Sequence, residues 1–184
     1  RAAEAAHSSA TQLTEAVARY LFKLMAYKDE YEVARLHTDR AFLDRIASQF
    51  EGDYKLHYHL APPLTAKRND QGELVKRAYG PWMLKAFGVL AKLKGLRGGA
   101  LDVFGRSAER KTERALIGEY RSCIEELLTT LSAERLAQAV AIARIPEEIR
   151  GYGHVKDRHL TAARAQWTSL MAAWREPQRQ RQAA

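Results

Sequence analysis

Cysteine is almost absent: Cys123 is the only one in 184 residues. A single thiol forms no intramolecular disulfide and points to a reducing, cytoplasmic setting. It also excludes an iron–sulfur cluster held by this chain, since clusters typically take four thiolates. Long apolar runs are missing as well. The longest are short and broken by charges, well below the roughly 20 residues that span a bilayer. The chain starts at Arg1 rather than Met, and no charged-then-apolar leader follows. It reads as a piece of a longer polypeptide.

What is present suits an ordinary globular chain. Hydrophobic residues make up 46% and charged residues 28%, the balance of a protein that builds its own core. A chain this long buries about 70% of its unfolded surface and needs no staples. One domain is expected over residues 1–176. The Gln- and Arg-rich stretch 177–184 is expected as a disordered tail.

The net charge of +8 is unevenly spread. Between Tyr54 and Leu101 nine basic residues face two acidic ones, Asp70 and Glu73, a local excess of seven. The flanking segments mix both signs. An acidic partner is therefore expected against the middle of the chain, if anywhere.

Periodicity predicts a mainly α fold, a helical bundle with a small β-strand and hairpin insertion around 54–79. Leu13, Val17, Leu21, Leu24 and Met25 recur at three and four residues, giving a helix over about 10–28. Asp29 is suited to cap a second helix, and Thr38 to restart or kink it. Tyr54, Leu56, Tyr58 and Leu60 alternate with Lys55, His57 and His59, the period of a strand. Residues 64–68 and 73–79, with a turn at Asp70 to Gly72, read as a hairpin. The helix from Trp82 to Lys94 is apolar on most sides, so it is expected at the centre of the bundle. Ser107 is placed to cap a long helix to about Leu131, and Ser132 the next. A last helix runs from about His154 to Arg175.

Several constellations could carry chemistry, and each has a plainer reading. His57 and His59 share one strand face and could share a metal, but no third ligand is evident; they fit better as part of a polar strand face with Lys55. Gly95, Gly98 and Gly99 with Lys92, Lys94 and Arg97 could cradle phosphate, but their spacing matches no phosphate-binding fingerprint. A helix cap and tight turn explain them. Glu125–Glu126 and Glu147–Glu148 are adjacent on helices, so their carboxylates point about 100° apart and do not converge for acid–base work. Cys123, inside a helix with no basic neighbour in sequence, reads as a buried inert thiol. Tyr54, Tyr58, Tyr79 and Trp82 among basic residues could stack on single-stranded nucleic acid; the alternation of the tyrosines fits a buried sheet face better.

Five strings taken together are more specific. They are Tyr27–Asp39 (YKDEYEVARLHTD), Gln49–Leu64 (QFEGDYKLHYHLAPPL), Gly80–Met83 (GPWM), Leu101–Arg110 (LDVFGRSAER) and Ile149–Lys156 (IRGYGHVK). In this order they resemble the C-terminal domain of the long, single-chain bacterial indolepyruvate ferredoxin oxidoreductases, over about Leu13 to Arg175. The resemblance implies a parent 2-oxoacid:ferredoxin oxidoreductase. Such enzymes decarboxylate 2-oxoacids oxidatively to acyl-CoA with thiamine diphosphate, magnesium and 4Fe-4S clusters, and reduce ferredoxin. The resemblance places that chemistry in upstream domains. Here Gly52-Asp53 is followed by Tyr54 instead of the glycine of a thiamine-diphosphate motif, and the lone asparagine, Asn69, is too close to complete it. No catalytic, cofactor-binding or metal-binding residue carries over, and the chain itself is expected to be non-catalytic. What the resemblance does suggest is docking of an acidic partner, ferredoxin or a face of the parent, on Lys67, Arg68, Lys76 and Arg77. The alternative from another class is a free-standing basic helical protein that binds nucleic acid.

Overall fold

The computed structural model describes residues 1–62, 67, 69 and 75–182, with backbone alone for 177–182. Among the described residues there are eight α-helices and one pair of short antiparallel strands. The fold is mainly α with a small β insertion, as the periodicity predicts. The sequence reads as one domain; contacts within the chain cluster into two compact units, residues 1–27 with 112–184, and residues 28–111.

The first unit contains α1 (Ala2–Ala5), α2 (Gln12–Met25), most of α6 (Ala108–Thr129), α7 (Leu136–Arg144), a 3-10 turn (Ile145–Glu148) and α8 (Gly153–Gln182). α2 packs on α7 and the 3-10 turn, and α8 on the same two elements. Their apolar stripes close a core that includes Leu13, Tyr20, Leu116, Tyr120, Leu127, Ile142, Trp167, Met171 and Trp174. Of the stripe read from spacing, Leu13 and Leu24 are buried, Val17 and Leu21 flank the core half-buried and Met25 faces solvent; Ala16 and Tyr20 complete the buried face. Glu4 was not legible as a structural residue. Its buried carboxylate accepts from the N–H groups of Leu13 and Thr14 at 2.8 and 2.9 Å and from the Thr14 hydroxyl at 2.5 Å. It thereby satisfies amides that α2 leaves open at its start. Burial alone would raise the Glu4 pKa, but these donors outweigh it and hold the carboxyl below its usual range. Between α6 and α8, Lys156 pairs with the buried Glu113.

Ser107 caps α6 as expected, its hydroxyl accepting from the Arg110 N–H at 3.3 Å. α7 starts four residues beyond Ser132, after a turn. The chain between α7 and α8 breaks at Gly151, whose φ of 89° and tight approach to Val155 suit no side chain. α8 continues to Gln182, into the stretch read from composition as a tail. Gln and Arg are both fair helix formers, so the backbone can stay helical through them.

The second unit contains α3 (Glu30–His37), α4 (Arg40–Ala47), β1 (Tyr58–Leu60), β2 (Arg77–Tyr79), α5 (Met83–Lys92) and a 3-10 turn (Leu93–Leu96). Asp29 caps α3, its carboxylate accepting from the Glu32 N–H at 2.9 Å. The helix then stops at His37, and Asp39 caps α4 through the Phe42 N–H at 3.3 Å. The break foreseen at Thr38 is thus a true restart.

The strand is shorter than the alternation suggested, beginning at Tyr58 and not Tyr54. β1 pairs antiparallel with β2 in the register Tyr58–Tyr79, His59–Ala78, Leu60–Arg77. Farther along, the Val75 N–H donates to the Lys67 carbonyl at 2.8 Å. Most of the first arm and the turn of the expected hairpin, residues 63–66, 68 and 70–74, lie outside the described residues.

One expectation is overturned. α5 does not run through the centre of a bundle. It packs on α3, and only Met83 and Phe87 on it are fully buried, in a small core with Ala34 and Tyr58. Trp82, Val89 and Leu93 face solvent. The large core is built by α2, α6, α7 and α8 without it. A core of four fully buried residues covers one face of a ten-residue helix, so an all-round apolar pattern leaves its other face bare.

Candidate functional site

Burial of charge is concentrated around the N-terminus of α3. Asp29, Asp102 and Arg110 are each less than a tenth exposed. Charged groups are rarely buried unless paired, because an unpaired charge loses several kcal/mol of solvation. Here each is paired. Asp29, besides capping α3, binds the Arg97 guanidinium, and Glu30 faces Arg110 at 3.5 Å. Asp102 accepts from the N–H groups of Gly98 and Gly105 at 2.7 and 2.8 Å, and it hydrogen-bonds the Tyr31 phenol. The Tyr31 ring meets Phe104 edge-on at 5.4 Å. Burial first, and then Asp102, push the Tyr31 pKa up.

The network ties the glycine loop 97–107 to α3. Gly98 takes a positive φ of 76° and hands its amide to Asp102; the Gly99 amide goes to the Leu96 carbonyl at 2.9 Å. These amides close a turn and are not free to cradle a phosphate. Gly105 has no room for a side chain: a Cβ there would lie 2.2 Å from Asp102 Oδ2. Carboxylates so fully engaged position a loop. They do not serve as free acids or bases.

Beside this network lies an aromatic cluster that the sequence did not disclose. His37 stacks on Phe87 at 5.1 Å, with 9° between the planes, and meets Tyr58 and Phe42 edge-on at 5.4 and 5.7 Å. Burial lowers the His37 pKa, so the folded state favours the neutral ring. A base with a depressed folded pKa supplies stability at pH above its unfolded value, about 6.5, which is lost as pH falls through the folded pKa. Wild-type protein is expected to lose Tm as the pH is lowered from about 7 to 5.5. In His37→Leu that part of the loss should vanish, leaving only the steeper carboxylate-driven fall at lower pH. Parallel curves for the two proteins by thermal circular dichroism would show that His37 does not couple protonation to folding.

His57 and His59 are exposed on either side of buried Tyr58, the polar side of a half-buried strand. Among the described residues no group of three or more His, Cys, Asp and Glu side chains is arranged to hold a metal ion. Lys67, Lys76 and Arg77 are exposed and form no ion pair with another described residue. Arg68 lies outside the described residues. Tyr58 is core and Tyr79 half-buried, while Tyr54 and Trp82 are exposed. Cys123 is buried, accepting from the Trp167 indole N–H at 3.1 Å and 3.5 Å from the Met171 sulfur; burial pushes its thiol pKa up, as for an unreactive thiol. Glu126 pairs with Arg175 at 2.6 Å, and Glu147 with Tyr20 and Arg144 at 2.5 and 2.9 Å.

A family profile described as "Family of unknown function (DUF6537)" matches residues 1–169. The chain belongs to this family. No curated protein and no solved structure matches it. No described helix is long and apolar enough to cross a membrane.

Proposed function

We propose that this DUF6537 chain is a non-catalytic interaction domain of an indolepyruvate-type 2-oxoacid:ferredoxin oxidoreductase working in the cytoplasm. Its partners are the upstream domains of the parent and, through the exposed cations of the β insertion, ferredoxin. The reading rests on the five ordered strings. Two of them supply both halves of the buried network: Asp29, Glu30 and Tyr31 from the first, Asp102, Phe104 and Arg110 from the fourth. A third supplies Lys156, the partner of Glu113. Strings with such packing roles are ones a family signature would keep.

The parent's cofactors find no fitting residues among those described. Cys123 is a single buried thiol held by Trp167 and Met171, and Gly52-Asp53 sits in an exposed turn. The exposed cations Lys67, Lys76 and Arg77 support a role in recognition. Encounters with small redox carriers are transient and steered by charge.

The test reverses Lys67, Arg68, Lys76 and Arg77 to Glu in the full-length polypeptide. Ferredoxin reduction is expected to slow about tenfold or more at low salt and to approach wild type as salt screens the charges. Turnover with a small neutral acceptor should not change. Equal loss with both acceptors would make the cations structural, and no loss with either would remove them as a docking site. A full-length polypeptide that binds neither thiamine diphosphate nor iron would end the parent assignment itself.

A further inference from the structure

The outward face of α5 is not explained by folding or by the cations of the β insertion. At 100° per residue, Trp82, Ala86, Val89 and Leu93 fall within about 60° of one another, with Lys85 and Lys92 along one flank. All six are exposed, Trp82 at 59% and Val89 at 62%. None of Lys85, Lys92 and the following Lys94 makes an ion pair with a described residue, and the segment 82–94 contains no acidic residue. Water-facing large apolar groups aligned on one stripe and edged by unpaired cations are the composition of a recognition surface.

We infer that this stripe docks the acidic surface of a separate protein chain, one that presents apolar side chains to Trp82, Val89 and Leu93 and carboxylates to Lys85 and Lys92. Charge decides among occupants. A second copy related by a two-fold axis would set lysine-edged stripe against lysine-edged stripe, and like charges facing each other cost association. Nucleic acid would satisfy the lysines and could stack on Trp82, but would leave Val89 and Leu93 against water. A bilayer takes an amphipathic helix with a broad apolar face; α5 offers three large apolar side chains, its other face being packed on α3 and the strand pair. An acidic protein surface satisfies both the lysines and the apolar stripe. The inference stands on α5 alone and does not need the parent assignment.

The experiment places the photocrosslinker p-benzoylphenylalanine at Val89 in the protein produced in its native host, with the same substitution at exposed Phe22 as control. After irradiation the crosslinked peptide is sequenced. The inference expects an adduct at position 89, absent from the control, on a peptide of another protein in which Asp or Glu flank apolar residues. Lys85→Glu with Lys92→Glu, checked for unchanged helical circular dichroism, should cut that adduct about tenfold, the effect of losing two modest charge contacts. Adducts on this same chain, on nucleic acid, on lipid or on a peptide without acidic residues would overturn it. So would an adduct insensitive to the charge reversal, or no adduct above the control.

Discussion

Replacing Trp174 by Ala is expected to cost about 3–5 kcal/mol, the usual range for removing a buried Trp. Its side chain is fully buried on α8, and its ring carries the Arg135 guanidinium at 3.4 Å. Arg135 also donates to the Trp174 and Thr130 carbonyls, so it joins the turn before α7 to α8. Truncation therefore opens a cavity and removes the face on which the cation is stacked. Trp174→Phe should behave differently. The indole Nε1 is buried without a hydrogen-bond partner among the described residues, which already costs the folded state. Phenylalanine discards that donor and keeps most of the ring, so its cost should stay below about 1.5 kcal/mol. Urea denaturation followed by circular dichroism separates the two. An alanine variant losing less than about 1 kcal/mol would mean that Trp174 is not a core residue.

The sequence was informative where structure is local. The cap at Asp29 needs only an acceptor three residues before an open amide, and Asp29 and Glu32 stand at that spacing. The stripe Leu13–Leu24 and the cap at Ser107 are equally short-range. The alternation from Leu56 to Leu60 correctly put Tyr58 inside and both histidines outside. It overran the strand because strand length is set by the partner, here only Arg77–Tyr79.

Where the sequence misled, the missing quantity was how much neighbouring surface exists. α5 has apolar residues all round, but periodicity cannot count the elements available to cover them. The buried network was invisible for a related reason. Arg97 stands 68 residues from Asp29, and nothing in the string containing Asp102 says that its carboxylate turns inward to meet a loop amide on either side. Its glycine was a usable signal: a Gly three residues after an Asp fits a turn closed on that carboxylate.

That glycine and that carboxylate are in direct contact. Asp102→Ala would take an acceptor from the buried Gly105 amide, the part-buried Gly98 amide and the Tyr31 hydroxyl, at about 1–3 kcal/mol for each donor that water does not reach. A total loss of roughly 3 kcal/mol or more is expected. Gly105→Ala acts on the same contact from the other side. Its Cβ would sit 2.2 Å from Oδ2 and 2.7 Å from Cγ, and the carboxylate cannot swing away because its hydrogen bonds fix it. Overpacking of this kind costs about 1–3 kcal/mol. The two losses should not add. Once Asp102 is Ala, the Cβ at 105 no longer meets an oxygen, so the second substitution becomes nearly free. The double variant should be more stable than the sum of the single losses implies by about 1–3 kcal/mol, the coupling of residues in direct contact. Equilibrium unfolding of the four proteins closes the cycle. Additivity within about 0.5 kcal/mol would mean that Asp102 does not occupy the space over Gly105.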